Sequence, residues 1–137
     1  MKLTPEQLEQ FDREGYLFLP GLFTPEEAAL LKEEAENIYQ LDRDEVWREK
    51  SGIARTAFAA HTYNEAHRRL GAHPRLIEPI QQILDGPVYM HQYKINAKAP
   101  FDGEVWQWHQ DYGTWARDDE MPEPRAMNIS VFLDDVT

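Results

Sequence analysis

Polar and apolar residues alternate with helical period through most of the first part of the chain, and two stretches there carry the same start signal. Thr4-Pro5-Glu6-Gln7 sets a capping hydroxyl before a proline at the first helical position, with Gln three residues past the cap, and Leu3, Leu8 and Phe11 supply an apolar stripe. The spacing predicts a short helix ending near Gly15. Thr24-Pro25-Glu26-Glu27 repeats the signal, and Ala28, Leu31, Ala35, Ile38 and Tyr39 recur at helical spacing opposite an acidic, solvated face. Between the two, Tyr16-Leu17-Phe18-Leu19-Pro20 is a short apolar run of strand type, closed by Pro20-Gly21.

The pattern weakens over residues 42–62, which read as loop with room for short strands. Two more helices are predicted over 64–70 and 74–84, broken at Gly71. The second carries Leu76, Ile77, Ile80, Ile83 and Leu84 on its core side and is ended by Asp85-Gly86-Pro87. Residues 88–97, 104–112 and 127–133 are rich in aromatic and β-branched side chains and read as strands. Helices followed by strands predict a single α+β to mostly β domain. Residues 1–86 are mainly helical and 87–137 form an antiparallel sheet or part of a barrel, with the helices packed on one side. Three or four strands are few for a closed barrel, so the sheet is expected to be incomplete.

Composition narrows the chemistry. Fourteen basic residues against 25 acidic ones give a net charge of −11 over 137 residues, with no basic cluster. That disfavours nucleic acid and anionic membrane surfaces as partners. No apolar run approaches the roughly 20 residues a membrane helix needs, and no signal region follows Met1, so a cytoplasmic location is expected. Zero cysteines exclude disulfides, thiolate metal sites and a cysteine nucleophile. Metal chemistry must therefore use His, Asp and Glu.

His109-Gln110-Asp111 has the clearest chemical logic. In a strand, residues two apart face the same side, so one imidazole and one carboxylate can share an ion. With a second His they make the two-His-one-carboxylate triad of a non-haem Fe(II) site. His-x-Asp is also common as a plain surface pair. Trp106, Trp108, Tyr112 and Trp115 surround it and read as core packing or as a water-poor wall. On the preceding strand Val88, Met90, Gln92, Lys94 and Asn96 share a face, so Gln92 and Asn96 can offer amides to one cavity. Thr114 and Ser130 offer hydroxyls. His61, His67, His73 and His91 have no partner at ligand spacing and read as structural or surface residues. Asn128-Ile129-Ser130 fits a glycosylation sequon, set aside without a secretory signal.

Residues 88–96, then Trp108-His109-Gln110-Asp111-Tyr112-Gly113-Thr114-Trp115, then Met121-Pro122-Glu123-Pro124-Arg125-Ala126-Met127-Asn128-Ile129-Ser130-Val131, resemble the phytanoyl-CoA dioxygenase superfamily, in particular ectoine hydroxylases and free-proline hydroxylases. Residues 12–23 and Ala57-Phe58-Ala59-Ala60-His61 are similar to that family's earlier blocks, so the likeness covers essentially the whole chain. The resemblance implies a double-stranded β-helix (jelly roll, cupin-like) that binds Fe(II) and 2-oxoglutarate and uses O₂ to hydroxylate an unactivated carbon of a small-molecule substrate. Carried over by position, it makes His109 and Asp111 iron ligands and catalytic residues. It places Asn96 and Ser130 at the 2-oxoglutarate site and Gln92 and Trp115 at a small zwitterionic substrate. Halogenating relatives carry a small residue where this chain has Asp111, so the carboxylate favours hydroxylation.

Ectoine hydroxylases usually read Ser-Asp-Phe-Glu-Thr-Trp where this chain has residues 110–115, and Asn128 stands where serine is usual. The resemblance thus leaves proline or another small amino acid open as substrate beside ectoine. The family's distal iron-binding His and its 2-oxoglutarate-binding Arg fall beyond Thr137. The chain is therefore expected to be the N-terminal half only, inactive and poorly soluble by itself, with oligomeric state open. A non-catalytic jelly-roll binding module is the alternative. An interaction domain with an accidental His-x-Asp is a third reading, which requires His109 and Asp111 to point into bulk solvent.

Overall fold

The computed structural model describes residues 1–98 and 107–135. The described chain forms helices α1 (Pro5–Glu14) and α2 (Pro25–Tyr39), strands β1 (Val46–Arg48) and β2 (Ala54–Phe58), a 3-10 turn (Ala60–Thr62), helices α3 (Glu65–Gly71) and α4 (Pro74–Leu84), strand β3 (Lys94–Asn96) and helix α5 (Asp111–Asp118). Both Thr-Pro starts form capping boxes. Thr4 Oγ1 accepts from Gln7 N at 3.3 Å while Gln7 Oε1 accepts from Thr4 N at 2.9 Å, and Thr24 and Glu27 do the same at 3.2 and 2.8 Å. These reciprocal bonds satisfy backbone donors that the first helical turn leaves without partners. Glu27 also takes the Arg75 guanidinium, which lies 4.4 Å from the Phe23 ring centroid. The guanidinium holds the Glu27 carboxyl down at about 2 and ties the start of α2 to the start of α4.

β2 is the central strand of an antiparallel sheet of order β1-β2-β3, with Val46 opposite Ala57 on one side and Ile95 opposite Ala57 on the other. Ala35 and Ile38 of α2 pack over Val46, Ala54, Ala57 and Ile95. Ala57 has no exposed surface, and a small side chain there lets the helix approach the sheet. A second cluster joins Leu31 of α2, Leu70 of α3 and Leu76 of α4, and Val131 and Leu133 dock onto it. The returning segment is pinned at three further points: Arg125 donates to the Leu84 carbonyl, Leu133 also reaches the first cluster, and Lys32 Nζ lies 2.5 Å from Asp134 Oδ1.

The four N-terminal helices agree with the sequence reading, as do short strands within 42–62. The strands expected later do not. Of residues 88–97 only Lys94–Asn96 is strand, and no strand forms at 107–110 or 127–135; residues 104–106 of the expected second strand lie outside the described residues. Residues 111–118, expected to begin in a strand, are α5. Residues 16–20 are likewise not a strand, and Tyr16 and Phe18 are exposed. The described residues are thus α+β with a small sheet, not mostly β. The physical reason is partnership: a helix closes its own hydrogen bonds, whereas a strand needs a neighbour's backbone. β3 finds β2, and the other β-like segments find no strand among the described residues. No helix among the described residues is long and apolar enough to cross a membrane.

His67 is 1% exposed, and its Nδ1 lies 2.7 Å from the Tyr93 hydroxyl. Burial lowers its pKa from 6.5 despite the opposing pull of Glu34. The unfolded chain therefore takes up this proton first. The stability His67 contributes is complete above pH 6.5 and is lost as pH falls through its lowered folded value. The thermal midpoint is expected to drop between pH 7.5 and 5.5, and His67→Gln, which does not titrate, should flatten that drop. Parallel profiles for the two proteins would exclude His67 as the cause.

Candidate metal centre

Asp111 is the first residue of α5 and follows the extended N-cap Gln110, where a carboxylate is favoured by the helix dipole. Arg117 in the last turn complements the other end. The dipole, Ala116 and Arg117 favour a helix here over the strand tendency of Tyr112, Thr114 and Trp115, which depends on a partner strand. His109 lies two residues earlier in non-regular chain. Its ring still meets the carboxylate: His109 Nε2 is 3.1 Å from Asp111 Oδ1. The two groups do share a side, but through a turn into a helix rather than through strand alternation.

The hydrogen bonds around the pair decide what it can do. His109 Nδ1 lies 2.6 Å from the Gln107 carbonyl oxygen, which can only accept, so Nδ1 carries the proton. In the neutral ring, Nε2 then presents its lone pair to Asp111 Oδ1. Two acceptors at 3.1 Å repel unless a cation or a proton lies between them. Two adjacent donors on an octahedral ion with bonds of about 2.1 Å stand about 3.0 Å apart, which matches this spacing. A backbone carbonyl behind the distal ring nitrogen is the usual support for a metal-binding imidazole. Asp111 is held from behind as well, because Asn128 Nδ2 donates to its Oδ2 at 2.9 Å. The donor set, one neutral imidazole and one carboxylate oxygen, fits a divalent ion such as Fe(II). Among the described residues no third His, Cys, Asp or Glu joins them. The His109 side chain is about half exposed and that of Asp111 about one quarter exposed, and the two groups face one another.

The other expected site residues are distributed as follows. Asn96 ends β3 on the same exposed side as Lys94, with Ile95 turned into the core, and its Oδ1 accepts from Thr56 Oγ1 at 3.1 Å. Gln92 lies outside the strand, exposed, so the single strand face proposed for residues 88–96 holds only for Lys94 and Asn96. Trp115 sits one helical turn past Asp111, on the same face of α5, and is partly buried. Ser130 is exposed in the returning segment. Trp108 is fully exposed and walls nothing among the described residues, and Trp106 lies outside them.

Two functional candidates escaped the sequence reading. Asn128 enters the sequence reading as part of a sequon and as a departure from the serine usual in ectoine hydroxylases, and nothing in its spacing from Asp111 signals contact. His91 does have a partner: its Nε2 lies 3.2 Å from Asp119 Oδ2, and its ring meets Trp115 edge-on at 5.0 Å. His67 and His73 are structural as expected, the latter capping α4 through Nδ1.

The family model described as phytanoyl-CoA dioxygenase (PhyH) matches residues 11–137. The chain is 38% identical to an L-proline trans-4-hydroxylase of Streptomyces griseoviridis over 93% of its own length and 48% of the relative's. It is 36% identical to the ectoine dioxygenase of Stutzerimonas stutzeri (strain A1501) over 97% of its length and 46% of the relative's. Among solved structures, it superposes on EctD from S. alaskensis with 2-oxoglutarate and 5-hydroxyectoine with a TM-score of 0.83 at 34% identity, covering 90% of this chain and 45% of that one. The same enzyme with bound Fe gives a TM-score of 0.76 over 82% of this chain and 42% of that one. The chain spans about half the length of the curated relatives it matches.

Proposed function

Since this chain belongs to the phytanoyl-CoA dioxygenase family, we propose that it is the N-terminal half of an Fe(II)- and 2-oxoglutarate-dependent dioxygenase that hydroxylates a small amino-acid-like metabolite such as proline or ectoine. The observation that carries this reading is the 3.1 Å approach of His109 Nε2 to Asp111 Oδ1, with the ring proton committed to Gln107. In the complete protein, residues 1–86 are a mainly helical support that also brings β1 and β2, and 87–137 add β3, α5 and segments that become the first strands of a double-stranded β-helix. Facing strands from the rest of the fold pair with the segments left open here and cover Trp108, Ile129 and Phe132, which are exposed.

When bound, Fe(II) with 2-oxoglutarate supplies the redox chemistry that uses O₂ to hydroxylate an unactivated carbon. The protein's own groups place the reactants. His109 and Asp111 would hold the metal, and a carboxylate at 111, where halogenating relatives carry a small residue, favours hydroxylation over halogenation. Asn96 and Ser130 serve the 2-oxoglutarate, and Gln92 and Trp115 orient the zwitterionic substrate. Trp115 shares a helix face with Asp111, so the substrate wall and a metal ligand move as one body. A third protein ligand and a cationic anchor for the 2-oxoglutarate carboxylate complete the site from outside residues 1–137.

The test is a succinate-release screen of the complete protein with Fe(II), 2-oxoglutarate and O₂ against proline, ectoine and related small amino acids. One of them is expected to stimulate succinate release stoichiometrically with a hydroxylated product. Absence of stimulation by every compound, in protein shown to bind Fe(II), would remove the hydroxylase reading.

A further inference from the structure

Asp111 uses its two oxygens differently. Oδ1 faces the His109 lone pair, while Oδ2 accepts the Asn128 amide at 2.9 Å. A carboxylate free to rotate can close both oxygens on one ion and take two adjacent positions. With Oδ2 engaged by an N–H donor, only Oδ1 is presented. Asn128 brings this donor without adding charge, so the pair keeps a single negative charge. Its own placement is fixed on both sides: Arg125, three residues before, is bound to the end of α4, and Val131, three residues after, docks on the α2–α3–α4 cluster.

We propose that Asn128 is a positioning residue that holds Asp111 in single-oxygen presentation to the divalent cation, leaving the neighbouring position for the cosubstrate. This rests on the metal-centre reading above. Asn128 acts through Asp111, and its amide is committed to Oδ2 and not to the ion.

The experiment uses the complete protein stripped of metal and titrated with Mn(II), following the free-ion paramagnetic resonance signal, then with 2-oxoglutarate on the Mn(II)-loaded form. Asn128→Ala and Asn128→Leu are compared with the native protein and with Asp111→Ala. Both Asn128 variants are expected to weaken Mn(II) binding by about 10–100-fold. They should also alter the resonance line shape of the bound ion and weaken 2-oxoglutarate binding to the loaded protein. The metal-free thermal midpoint should not change, since Asn128 is exposed. Native-like Mn(II) affinity and line shape in both variants, with loss of binding in Asp111→Ala, would overturn the role of Asn128 and leave the metal centre standing. Native-like affinity in Asp111→Ala would remove the metal centre itself and this role with it. A fall in metal-free stability that accounts for the lost affinity would make Asn128 merely structural and overturn the proposal as well.

Discussion

His109→Ala is expected to abolish substrate-triggered succinate release in the complete protein. The ring contributes a neutral nitrogen donor whose lone pair is aimed by the Nδ1–Gln107 bond. Truncation removes the donor and leaves Asp111 facing empty space, so under the proposed assignment a metal would have one fewer ligand. Loss of a partner behind a ligand costs about 10–100-fold, and loss of the ligand itself should exceed that, with a fall in activity of more than about 100-fold. Mn(II) binding measured beside activity separates the cause: affinity and turnover should fall together. Native turnover in His109→Ala would end the assignment of this residue.

Ile38→Ala is expected to produce the largest loss of stability. Ile38 is 1% exposed at the centre of the contact between α2 and the sheet, among Ala35, Val46, Ala54, Ala57 and Ile95. Ala35, Ala54 and Ala57 beside it have no side chain long enough to swing into the space left, so the void closes only in part. Removing the side chain should cost about 2–5 kcal/mol, the range for Ile→Ala in a core that relaxes only partly. That is a large fraction of the roughly 5–15 kcal/mol by which a domain is folded. Leu30→Ala, on the solvent side of the same helix, should stay within about 0.5 kcal/mol. Equal denaturation midpoints for the two variants would show that this face of α2 is not the core.

The expected changes lie on different links between sequence and function. Ile38 could be picked out from helical spacing alone, because a period of 3.6 put it on the stripe with Leu31 and Ala35. His109 and Asp111 were picked out by residue type and spacing, but the geometry invoked was wrong: Asp111 opens a helix and His109 precedes it in non-regular chain. The pairing survives because a two-residue separation across a helix start also brings side chains to one place. Trp108 shows the opposite outcome, since an aromatic beside the His-x-Asp pair reads as core packing or as a water-poor wall and instead lies fully exposed.

By itself the amino-acid sequence determined the four N-terminal helices, the Thr4 and Thr24 caps of the first two, the core stripe of α2 and the residue types able to hold a divalent ion. Each of these depends on neighbours within about four residues along the chain. Only the tertiary structure decided which β-like segments become strands, that His67 is buried against Tyr93, and that Asn128 reaches Asp111 across 17 residues. Those contacts exist only after long loops have closed, and the entropy of closing them is met by the packing of Val131, Leu133 and Ile95 onto the helices, which no local pattern encodes.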